Sequence, residues 1–168
     1  MLYLIANGPS PTTAAQVPVT TGTNIKTMLQ IKPGATTYGK VVEWGISFDG
    51  SAAATPIKVE LIETDVAATV TAHVAAGIVK IDALALGAGD PTTDFIEVGT
   101  SATGYTSSGE GSITTSRVLD VQYIAPTNQY IKQFPLGREP ITQPGKFLRI
   151  RVHAGAAVNA YAYVVIDV

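Results

Sequence analysis

The chain has 168 residues, 11 basic and 13 acidic side chains, a formal net charge of −2 and no cysteine. A chain of this length can bury roughly 70% of its unfolded surface, so residues 1–168 are expected to form one domain. Without cysteine there are no disulfides, thiolate metal sites or cysteine nucleophiles, and charges this dispersed lack the footprint of a nucleic-acid binder.

Met1 to Asn7 is too short for a secretory apolar region and has no basic flank. No apolar run approaches the ~18 residues of a membrane span, so no membrane partner is expected. Leu2 to Ala6 reads as a short edge strand. Asn7 to Thr23 holds three prolines among Thr and Ala and reads as an extended arm. That arm either hugs the surface or reaches a neighbouring subunit.

Ile25, Thr27, Leu29 and Ile31 alternate with Lys26, Met28, Gln30 and Lys32, and Pro33-Gly34 ends this strand. Val42, Trp44, Ile46 and Phe48 give the strongest inward face, closed by the turn signal Asp49-Gly50. Ile57, Val59 and Leu61 alternate with Lys58 and Glu60. Residues 66–86 mix helical spacing with many β-branched side chains and read as mostly extended or irregular. In Gly99 to Ser116, fourteen of eighteen residues are Gly, Ser or Thr, which predicts a flexible loop.

Val118 to Ile124 is a further strand, with a turn at Ala125 to Asn128. Leu148, Ile150 and Val152 then alternate with Arg149 and Arg151. Ala160, Ala162, Val164, Ile166 and Val168 alternate with Tyr161, Tyr163, Val165 and Asp167. A period of two is that of a pleated strand with one buried face. Strands separated by turns, without βαβ alternation, predict an all-β antiparallel sandwich. Its core should hold Leu29, Ile31, Val42, Trp44, Ile46, Phe48, Val59, Leu61, Leu148, Ile150, Val152, Val164 and Ile166.

Catalytic and metal motifs do not assemble. His73 and His153 have no ligand partner at metal spacing. Asp90, Asp94 and Glu97 lack the calcium-loop pattern, and Glu60 and Glu63 point to opposite faces of a strand, without a sugar platform nearby. Gly87-Ala-Gly89 and Gly109-Glu-Gly111 lack the context of a nucleotide loop. No enzyme activity, cofactor or metal is expected. Charged residues are 14% of the chain against about 25% typically, and 21 Thr and 22 Ala take their place. Such a surface is easily desolvated, which suits protein contacts.

Tyr130-Ile-Lys-Gln-Phe-Pro-Leu-Gly-Arg-Glu139, Pro144-Gly-Lys-Phe-Leu-Arg-Ile-Arg-Val152 and Ala157-Val-Asn-Ala-Tyr-Ala-Tyr-Val-Val-Ile166 resemble the C-terminal half of jelly-roll proteins of tailed bacteriophages. Trp44-Gly-Ile-Ser-Phe-Asp-Gly50 through Pro56 to Thr64 resembles their N-terminal hairpin. The resemblance spans about half the chain and leaves out Asp65 to Thr115. It implies a jelly roll and a structural virion role similar to that of capsid decoration (cement) proteins. Such a protein would be made in the host cytoplasm and would bind the outside of an icosahedral shell. The implied partner is the major capsid protein, and a homo-oligomer is expected, with a trimer favoured by capsid symmetry. Contact is expected through the arm and the loop, at Thr12, Thr13, Tyr105, Thr106 and Ser107. Phe134, Leu136 and Arg138 either plug the sandwich end or face a partner, and Arg138 and Glu139 are candidates for an internal ion pair. The rival function is a carbohydrate- or receptor-binding jelly-roll module of a phage tail or baseplate, with Tyr105, Tyr123, Tyr161 and Tyr163 as its available aromatics.

Overall fold

The structure is a computed structural model that describes residues 1–9, 13, 15–50, 55–81 and 95–168. Its strands are β1 (Leu2–Ala6), β2 (Val19–Thr20), β3 (Lys26–Pro33), β4 (Gly39–Phe48), β5 (Ile57–Thr64), β6 (Thr69–Ala72) and β7 (Ile78–Lys80). They continue with β8 (Ile96–Glu97), β9 (Gly104–Gly109), β10 (Ser116–Ile124), β11 (Gln129–Gln133), β12 (Ile141–Thr142), β13 (Phe147–His153) and β14 (Asn159–Asp167). One sheet runs β11-β4-β14-β1-β7, with β12 also on β4 and β2 on β14. The other runs β10-β5-β13-β3-β9-β6, with β8 also on β3. We call these the β14 sheet and the β13 sheet. The ladders between named strands are antiparallel.

Eight of these strands carry the wrap: β1, β3, β4, β5, β10, β11, β13 and β14. Counted in that order, one sheet holds the sixth, third, eighth and first, and the other the fifth, fourth, seventh and second. Apart from the fourth and fifth, successive strands switch sheets. This is the double Greek-key order of a jelly roll, so the predicted antiparallel sandwich is the observed fold.

The alternating apolar residues meet between the sheets. Tyr3, Ile5, Trp44, Ile46, Leu61, Ile150, Val164 and Ile166 are all fully or almost fully buried in one cluster. The ring of Trp44 packs on Tyr130 with centroids 5.3 Å apart.

Three expectations about strand faces and edges need correction. Val42 is only half-buried and Val41 takes its place in the core, because the ladder shifts register between Val165/Ile166 and Glu43/Val41. A bulge of one extra residue flips every side chain beyond it. The same device at Met28, opposite the Ile150/Arg151 shift, turns Met28 inward and Thr27 outward. β1 is not an edge strand: it lies between β14 and β7 and pairs with both.

Residues 65–115 link β5 to β10, which are already neighbours in the β13 sheet. Instead of a short connection, the chain crosses the outer face of that sheet. It adds β9 and β6 beyond β3 and β7 beyond β1, then crosses back. The predicted loop 99–116 therefore contains a strand, β9, paired on both sides. Its small residues reflect close packing: a Cβ at Gly104 would collide with the Thr71 carbonyl and the Val70 side chain. Of the ambiguous stretch 66–86, the described part to 81 is two short strands around a 3₁₀ turn at Ala75–Gly77, and the rest lies outside the described residues.

Candidate interaction surfaces

The crossing segments are fastened by polar groups on the outer face of the β13 sheet. Glu110 is the hub. Its carboxylate accepts from Thr27 N–H and Thr27 Oγ1, both at 2.6 Å, and from Ser107 Oγ at 2.5 Å. Arg149 Nη1 donates to the Glu110 carbonyl at 3.0 Å and to its carboxylate at 3.4 Å. The crossing covers Arg149, which the alternation assigned to an open face but which is fully buried. Burial pulls its guanidinium down to about 10. On the outgoing crossing, Gln30 Nε2 donates to Ala102 O at 2.6 Å, and Ala68 N–H donates to Gln30 Oε1 at 2.8 Å. Asp65 accepts from the Thr114 hydroxyl and from the Thr114 and Thr115 amides, which hold its carboxyl down at about 2.

These contacts place the expected interaction residues. Ser107 is engaged with Glu110 and Thr27 inside the chain. Tyr105 is half-buried against the His73 ring, centroids 5.0 Å apart. Thr106, at φ 53°, has a buried Oγ1 without a partner among the described residues. Thr13 is exposed, and Thr12 lies outside the described residues. His73 is itself buried, donating from Nε2 to Ala6 O at 2.7 Å, and burial holds its imidazole below the ordinary value.

The arm is fastened at both ends. Buried Asn7 donates to Ala160 O at 3.0 Å and accepts from Ala162 N–H at 2.7 Å. Thr21 N–H donates to Val158 O at 2.7 Å, and Val158 N–H donates to Thr21 Oγ1 at 3.2 Å. Between these ends, Gly8 and Pro18 wall a cleft of about 520 Å³ over Leu4, Ala6, Val79 and Tyr161 on the outer β14 sheet. Tyr161 and Tyr163 lie side by side there, centroids 6.2 Å apart. Tyr163 O–H donates to Glu43 at 2.5 Å and Gln133 Nε2 donates to the same carboxylate at 2.6 Å. Two of the four candidate tyrosines thus share one face, while Tyr105 lies half-buried against His73 and Tyr123 stands on β10.

Titratable clusters elsewhere are ion-paired. Glu60 binds Arg151 and Lys58; burial raises its carboxyl, but these two cations outweigh it and hold it below the usual range. Glu63 accepts from Arg117 at 3.1 Å and from Gln143 N–H at 3.0 Å. Glu97 pairs with Lys32, whereas Asp90 and Asp94 lie outside the described residues. Among the described residues no group of His, Cys, Asp or Glu is arranged to hold a metal ion.

The side of the sandwich formed by β10 and β11 is closed internally by Asp120. It accepts from Tyr130 O–H at 2.9 Å, Gln122 Nε2 at 3.0 Å and Lys132 Nζ at 3.3 Å. Burial and the Asp120 charge push the Tyr130 hydroxyl up to about 12. The outside of this region is apolar. Val118, Val121 and Tyr123 are exposed on β10, as are Ile131 on β11 and Ile141 on β12. Between the last two, Phe134 packs on the core but Leu136 is 97% exposed. The plug reading therefore holds for Phe134 alone. Arg138 is exposed and Glu139 half-buried, and Glu139 turns back to accept from Gly137 N–H at 2.7 Å.

The sequence reading missed Glu110 and Arg149 as structural partners, and Leu136 and Val121 as exposed apolar groups. Glu110 did carry a signal, as the one charge in a Gly/Ser/Thr run. No protein-family model, curated protein or solved structure matches the chain.

Proposed function

We propose that the chain is a structural protein that decorates the outside of an icosahedral phage capsid, with the major capsid protein as its partner. The observation that carries this reading is Leu136. It stands 97% exposed at the tip of the Phe134 to Glu139 turn, within the segment that resembles phage jelly-roll proteins. Ile131 and Ile141 are exposed on the strands flanking that turn. Burying one leucine against a partner contributes about 1.5–3 kcal/mol, and many repeats on a shell turn such modest contacts into firm attachment. The role is non-catalytic, its site the virion surface, and a trimer is the assembly favoured by shell symmetry. Purified protein mixed with assembled shells that lack it should co-sediment with them. Leu136→Asp should weaken that binding by at least about tenfold, a loss of about 1.4 kcal/mol, and leave the thermal melt unchanged. Wild-type protein that stays in the supernatant overturns the reading.

A second reading has its own observation. Tyr161 borders the cleft and lies beside Tyr163, Glu43 and Gln133, a grouping of aromatic and polar side chains suited to a sugar face. Glycan-array binding abolished by Tyr161→Ala, with no shell association, would favour the carbohydrate-binding module instead.

A further inference from the structure

We infer that β10 is a self-pairing strand: two copies of this chain join their β10 strands antiparallel about a two-fold axis through Val121, making one continuous sheet. β10 is nine residues long and ends its sheet; among the described residues no strand pairs with its outer side. The other strands at the ends of the sheet orders are much shorter: β6 has four residues, β7 three and β11 five. A long open edge offers a row of backbone donors and acceptors, and proteins usually blunt it with shortness, proline or an inward charge. β10 contains no proline, and its one bulge, after Val118, leaves Asp120 to Ile124 in regular register. Its inward charge, Asp120, is taken up by Tyr130, Gln122 and Lys132 and so does not guard the edge.

The occupant follows from the chemistry of the edge. Backbone donors and acceptors in a row are satisfied by another extended strand. The side chains beside them on the outer face are apolar: Val118 is 57% exposed, Val121 37% and Tyr123 72%. An axis through Val121 opposes Val121 to itself and places each Tyr123 against the other copy's Val118 at the bulge that follows Val118. It also sets Asp120, already bonded to its own Gln122, beside the other copy's Gln122 and not beside a second carboxylate. An axis through Asp120 would oppose two carboxylates, which destabilises a ladder, and one through Gln122 would leave Val118 outside the pairing. The strand is thus complementary to its own copy in one register. The inference stands apart from the capsid reading because it is read on the free protein.

The absence of cysteine makes the test clean. Antiparallel pairing sets residues 121 about 4.5–5.5 Å apart between Cα atoms, within the roughly 4.4–6.8 Å that a disulfide spans. Under mild oxidation Val121→Cys should give a covalent dimer, while Leu136→Cys, more exposed but off the axis, should not. In sedimentation velocity Val121→Lys, which opposes two ammonium groups, should dissociate the wild-type assembly without changing its circular dichroism. Cross-linking of Val121→Cys no stronger than that of Leu136→Cys overturns the inference. So does a wild-type monomer at high micromolar concentration, or an assembly whose mass Val121→Lys leaves unchanged.

Discussion

The eight wrapped strands and the 65–115 excursion are held by different physics. In the wrap, apolar side chains from two sheets bury each other, and many contacts share the work. The excursion adds Ile78 and Ile96 to that core, but its crossing segments are fastened to the outside of a sheet by a few polar groups: Glu110, Gln30, Asp65 and the buried Arg149. The first arrangement repeats every two residues along the chain. The second depends on single residues far apart in sequence, and substitution should separate the two.

Trp44→Ala should produce the largest effect. The ring is fully buried at the centre of the wrap, and its loss should cost about 3–5 kcal/mol by urea denaturation followed by circular dichroism. An unchanged midpoint would contradict a wrap held by its core. Glu110→Ala should come next. It removes the carboxylate beside the buried Arg149 guanidinium and leaves only the bond to the residue 110 carbonyl, and breaking a buried pair costs about 3–5 kcal/mol. The Glu110 side chain is 22% exposed, so about 2–4 kcal/mol is expected after discounting for solvent. Hydrogen exchange should rise at residues 65–72 and 104–115 while the eight strands stay protected, and adding Arg149→Met should restore part of the loss. Uniform exchange throughout the protein would erase the distinction between the regions.

Gly104→Ala places a methyl against the Thr71 carbonyl and the Val70 side chain, so β9 and β6 must separate. The expected cost is about 1–3 kcal/mol, with a melt otherwise cooperative. The smallest effect concerns His73, which joins the excursion to β1 through Ala6. Burial holds its folded imidazole below 6.5, whereas the unfolded one titrates near that value. Below about pH 6.5 the unfolded chain takes up the proton first. Stability is therefore complete above that pH and falls on acidification toward the folded value, by at most about 1.4 kcal/mol per pH unit. His73→Gln should flatten the profile between pH 7 and 5, and a wild-type profile already flat there would remove histidine from the linkage.

The sheets were legible because Trp44, Ile46, Leu148, Ile150, Val164 and Ile166 keep strict alternation through their strands. It slipped at Val42 and Met28, where one inserted residue reverses the faces and composition carries no mark of it. Gly99 to Ser116 was misread for the opposite reason. Its glycines and serines look like loop residues, yet Gly104 is small because another backbone lies against it, and Ser107 is polar because Glu110 needs a donor. Arg149 alternated correctly; what periodicity could not reveal was that a distant segment would lie over it. Of the residues expected at an interface, Ser107 proved to be an internal fastener, whereas Leu136 appeared as a surface group only once the turn around it was seen.

The unequal lengths of the sheet edges bear on behaviour at high local density. The excursion leaves one side of the sandwich ending in the short strands β6 and β7, while β10 leaves a long edge on the other. A sandwich with two long open edges can add copies without limit and grow into a ribbon. One with a single long edge consumes it in the first union and stops. At high concentration the free protein would then stop at closed pairs, so the same excursion that lengthens the chain also acts as a brake on polymerisation.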